Sequence, residues 1–159
     1  MLQPAGNQRV DAHRSDQQLI STILAREPKP KLASFGILEP SWVYYAKQPI
    51  AELPKRDKHA VPAGAPTKQM VLHARMNNNK QAVTFLNSDP AAYLITTAAN
   101  YKLLQPDLPA DVHVIAEQVQ FATKFKLTDA GQPRQEMLVV LGRENGSVIA
   151  KKDSSAAGR

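Results

Sequence analysis

His73, His113 and Glu117 are the residues whose types most readily suggest chemistry. His113 and Glu117 stand four apart, a spacing that puts both side chains on one face of a strand. With His73 on an adjacent strand the three would make a His2Glu set, which can hold zinc and leave a fourth position open. No ligand-spacing motif backs that arrangement, so the reading that prevails is of surface or satisfied strand histidines. Asp11, His13 and Asp16 also carry ligand chemistry, but they lie near the N-terminal end and just before a helix cap, where solvation is the better account. No serine sits in a nucleophile elbow and no glycine-rich phosphate loop is present; seven glycines leave little for a nucleotide cradle. The lack of cysteine excludes disulfides, thiolate zinc sites and cysteine nucleophiles. This inventory predicts a non-enzymatic protein with no cofactor and no metal.

Charge is the next signal. Net charge is +6, from 20 basic and 14 acidic residues, divided evenly between the proline-rich first part and the remainder. An even excess is a weaker nucleic-acid signal than a basic face, yet it keeps phosphate backbones as the alternative partner class. Lys124, Lys126, Lys151 and Lys152 are the residues that would meet nucleic acid. Lysines on a sheet edge also keep that edge from pairing with other chains, and no aromatic is interleaved with these as single-strand binders require.

The elements that must position these side chains follow from pattern. Ser15-Asp-Gln-Gln18 reads as a capping box opening a helix, with Leu19, Ile20, Ile23 and Leu24 on one face and Pro28 and Pro30 ending it. From Pro28 to Pro66 seven of the twelve prolines leave room for an extended ribbon only. Lys68–Met76 alternates as a half-buried strand, Asn77–Asn79 reads as a turn, and Gln81–Leu86 as the returning strand. Asp89 and Pro90 then open a core helix reaching Leu104. Val112–Leu127, Gln135–Leu141 and Ser147–Lys151 read as an antiparallel meander, closed by a hairpin at Asn145-Gly146 and bent near Glu117–Gln120 where the apolar side changes.

The expected fold is therefore α+β: an antiparallel curved sheet in ββαβββ order packed on one core helix, preceded by an N-terminal helix and extended arm. The expected divisions are an N-terminal helix and extended arm over residues 1–66, an α+β core domain over 67–152 and a flexible tail over 153–159. The arm holds Phe35, Ile37, Leu38, Trp42, Tyr44 and Tyr45, and large aromatics need burial. Their concentration predicts that they anchor on other protein subunits, as in a structural or assembly component of a virion or secretion-type complex, homo-oligomeric or mixed. The alternatives are a basic nucleic-acid-binding accessory protein and a small-ligand binder or enzyme with a pocket between sheet and helix. No signal peptide or membrane span is read, which predicts a cytoplasmic protein or one held within a large assembly.

Overall fold

The computed structural model describes residues 6–54, 67–121 and 135–144. Four α-helices surround a five-stranded mixed sheet: α1 (Gly6–Arg26), β1 (Lys31–Phe35), α2 (Pro40–Ala46), β2 (Ala51–Leu53), α3 (Lys68–Asn87), β3 (Ala92–Thr97), α4 (Ala98–Leu104), β4 (Val112–Phe121) and β5 (Gln135–Arg143). The strands lie in the order β2-β1-β3-β5-β4. β1 runs parallel to both β2 and β3, while β5 is antiparallel to β3 and β4.

Side-chain alternation along the strands divides the core in two. Leu32, Tyr93, Ile95, Leu138 and Val140 face one side of the sheet, where Leu19, Ile20 and Ile23 of α1 and Trp42 of α2 cover them. Ala33, Phe35, Leu94, Val139 and Leu141 face the other, beneath Ala82 and Leu86 of α3 and Leu104 of α4. Helices on both faces explain why all six residues of β3 are buried. A strand covered on both sides needs no polar face.

The α+β class holds, but the antiparallel ββαβββ sheet does not. Residues 68–76 and 81–86, expected as a hairpin, form one helix. Met, Leu, Ala, Arg, Lys and Gln all favour helix, and the Thr67 hydroxyl caps it by accepting from the Met70 amide at 3.3 Å. The alternation at Met70, Leu72, Ala74 and Met76 did not report burial, since all four are exposed. The reverse error affects residues 91–104, expected as one helix. Asp89 Oδ1 accepts from the Ala91 amide (2.8 Å) in a turn that enters β3, and the helix begins only at Ala98, capped by Thr97. A continuous apolar run fits a doubly covered strand as well as a buried helix.

The ribbon expected over residues 28–66 instead contributes β1, α2 and β2, so the sheet draws strands from both sides of the expected boundary after residue 66. α1 starts at Gly6, ahead of the helix start expected at Ser15, while the expected stop at Pro28 matches its end at Arg26. β4 and β5 pair as expected, with the register shift at Val114/Ala116, a few residues before the expected bend. There the strand changes sides: Val114 packs with the α3 layer, Ile115 and Ala116 with the α1 layer. The Asn145-Gly146 turn, the strand at 147–151, the 153–159 tail and the linker-like 55–66 stretch lie outside the described residues.

Candidate interaction surface

The crevice at the carboxyl ends of β1 and β3 is where an α/β sheet places a ligand, because the chain leaves β1 toward β2 on one side and returns to β3 on the other. Here it is filled from within. The Thr96 hydroxyl donates to the Phe35 carbonyl at 2.9 Å, and Asn100 Nδ2 approaches the same oxygen at 3.4 Å. Asn100 lies so close over Gly36 that a Cβ there would stand 2.5 Å from Nδ2, and Gly36 sits at φ +74°. The glycine lets the amide in, and the amide closes the crevice.

Among the described residues, two hollows lie elsewhere. One, of about 890 Å3, runs between α1 and the edge strand β4, lined by Ser15, Gln18, Thr22, Glu117 and Gln118 among others; Glu117 is its one titratable group among the described residues. The other, of about 380 Å3, lies among Leu32, Gln48, Ile50 and Phe85.

The residues read as metal ligands are scattered. His73 is exposed on α3, not on a strand, while His113 and Glu117 are exposed on β4. No group of three ligand-type side chains forms among the described residues. Asp16 has a structural position instead. Buried at the junction of α1 and α2, it accepts from Trp42 Nε1 at 3.0 Å and from the Ser41 hydroxyl at 2.6 Å, so its carboxylate ties the tryptophan into the core.

The six residues expected to anchor a partner divide. Trp42 is fully buried and Phe35 nearly so, each within a core cluster of this chain; Ile37, Leu38 and Tyr45 are half-buried against the Trp42 cluster. Trp42 shares its cluster with Tyr93, Ile95, Leu138 and Val140, so its burial comes from its own fold. Only Tyr44 projects, 77 % exposed, its ring edge-to-face with Tyr45 at 5.3 Å. Lys124, Lys126, Lys151 and Lys152 lie outside the described residues.

The surface that sequence reasoning missed is the first half of α3. Its C-terminal half is pinned: Ala82 and Leu86 are buried, Asn79 Nδ2 donates to the Leu103 carbonyl (3.0 Å) and to Asp107 (2.7 Å), and Arg143 holds the Leu86 carbonyl, Asn87 and Asp111. A guanidinium at the last carbonyls also suits the negative end of the helix dipole. Before Asn79 the burial stops. Every residue from Lys68 to Asn77 is exposed, including Met70 (42 %), Val71 (53 %), Leu72 (56 %) and Met76 (59 %). Four large apolar side chains thus share about two turns of helix. The legible signal was composition rather than period: Thr67 as a cap followed by helix-favouring Lys, Gln, Met, Leu, Ala and Arg.

Comparison with protein-family models, with curated proteins and with solved structures finds no match. The geometry of the chain itself carries the functional reading. Among the described residues, no helix is long and apolar enough to cross a membrane.

Proposed function

We propose that this protein is a non-enzymatic assembly component that docks onto another protein through the first half of α3. The observation that carries this reading is Val71, Leu72 and Met76, exposed together on one side of a helix whose other half is firmly seated. Isolated exposed apolar residues are ordinary, but a contiguous group on a rigid element is where partners bind. Docking here needs no rearrangement of the core, because the helix is already formed and fixed at its far end.

This reading replaces the aromatic arm as the docking element while keeping the class of function. Trp42 holds the α1 and α2 layer and Phe35 packs in the layer beneath α3. Tyr44, exposed on α2, is a secondary contact. The test is purification of the tagged protein from its source cell alongside a Leu72→Ser/Met76→Ser variant. A stoichiometric partner retained by the parent and lost from the variant, at unchanged thermal stability, is the expected result. A partner retained equally by both removes α3 from the account.

A further inference from the structure

Resting on that docking reading, we infer that the partner presents an acidic amphipathic helix to α3. A seam of side chains runs along the helix. Lys68, Leu72, Arg75, Asn79, Ala82 and Leu86 follow one another in steps of four, three, four, three and four, the spacing that keeps one line of side chains facing a neighbouring helix. From Asn79 onward this chain covers the seam itself. From Arg75 back to Lys68 the same seam is uncovered, and it is occupied by two cations with Leu72 between them and with Val71 and Met76 at its margins.

The covered half shows what a polar seam position requires. Asn79, 6 % exposed, is met by the carboxylate of Asp107 and the Leu103 carbonyl from the neighbouring α4 segment. Arg75 and Lys68 stand one and three turns further along the same line, and among the described residues neither forms an ion pair. A helix that continued the packing begun by the Asp107 segment would have to bring acceptors to both.

Charge complementarity narrows the occupant further. The twenty residues of α3 contain Lys68, Arg75 and Lys80, with His73, and no aspartate or glutamate. The first turn of a helix ordinarily favours acids, because the free amides there carry partial positive charge. Here Lys68 adds to that charge, and Asp107, the carboxylate at the base of the exposed half, is already engaged by Asn79. A second copy of α3 laid against the first would set cation on cation. Nucleic acid would answer the cations but leave Val71, Leu72 and Met76 unburied, and the exposed half of α3 offers bases the His73 imidazole but no phenylalanine, tyrosine or tryptophan to stack on. An amphipathic helix answers both demands, with apolar residues over Leu72 and Met76 and glutamates or aspartates at Arg75 and Lys68.

The experiment uses the full chain and two synthetic amphipathic peptides with the same leucine seam, one flanked by glutamates and the other by lysines, read by fluorescence anisotropy. The glutamate peptide should bind at least tenfold more tightly than the lysine peptide. Leu72→Ser should weaken it about tenfold, and Arg75→Glu with Lys68→Glu should invert the preference. Equal binding of both peptides, binding of neither, or indifference to the charge reversal overturns the inference. So does a DNA duplex that binds more tightly than the glutamate peptide with an affinity unaffected by Leu72→Ser. Loss of the cellular partner with Leu72→Ser but not with Arg75→Glu would leave docking at α3 standing and remove only its acidic partner.

Discussion

Removing the Asp16–Trp42 contact should expose how the N-terminal third is held. Trp42 is fully buried, and its Nε1 donates at 3.0 Å to a carboxylate that is itself 7 % exposed. A buried hydrogen bond to a charged group contributes about 1.5–3 kcal/mol, and an indole N–H left without a partner costs a comparable amount. Asp16→Ala should therefore destabilise the fold by about 2–3 kcal/mol, with the Ser41 hydroxyl losing its acceptor as well. Trp42→Phe retains an aromatic ring but deletes the donor and some volume, for a similar loss. If the contact is the common cause, the double variant should cost about 1–2 kcal/mol less than the sum of the two single variants. Urea unfolding followed by far-ultraviolet circular dichroism supplies the four free energies. Because the chain has a single tryptophan, the emission of the parent and of Asp16→Ala reports on this one site. Additive single effects below 0.5 kcal/mol each, or solvent-exposed tryptophan emission from the folded parent, would refute the placement of Trp42 in this chain's own core.

The two halves of α3 should respond oppositely to truncation: Leu86→Ala should cost about 2–5 kcal/mol, as a fully buried leucine does, whereas Leu72→Ser should change stability by less than about 0.5 kcal/mol in thermal melts. Gly36→Ala should destabilise through both its positive φ and the clash with Asn100, and adding Asn100→Ala should recover the steric share but not the backbone share. The Arg143 guanidinium, hydrogen-bonded to the exposed Asp111 carboxylate, holds that carboxyl below its ordinary value. The unfolded chain then binds more protons in the acid range, so this contribution is present above the unfolded pKa and fades as pH falls through the folded one. Asp111→Asn should accordingly lower stability near neutrality, converge with the parent in acid, and flatten the acid limb of urea midpoints measured against pH.

What could be read from the sequence depended on how many faces each element buries. α1 was legible from Leu19, Ile20 and Ile23 because it covers the sheet with one side only, and Pro28 marks its end. β4 and β5 were legible as strands, and the change of apolar side along β4 correctly implied an irregularity in the pairing. β3 was not, because Ala92–Thr97 is covered on both sides and its uninterrupted apolar run erases the period that separates strand from helix. α3 misled for the opposite reason. Its first half covers nothing, so Met70, Leu72, Ala74 and Met76 could alternate without answering to any core. Tryptophan and phenylalanine in a proline-rich stretch were rightly taken to need burial, but composition cannot name the surface that buries them. That depended on β1 pairing with β3 across some sixty residues of sequence. The docking face was hidden with α3, since a strand reading puts Arg75 on the opposite side from Lys68 and Leu72.

Site-specific photo-crosslinking reads contact at α3 in the cell. A photoreactive residue placed at Leu72 in the protein expressed in its source cell should give one discrete adduct with another protein. The same residue at Lys29, exposed in the turn after α1, should give none. Adducts of equal yield from both positions, or from neither, would contradict α3 as the surface on which this protein meets its partner.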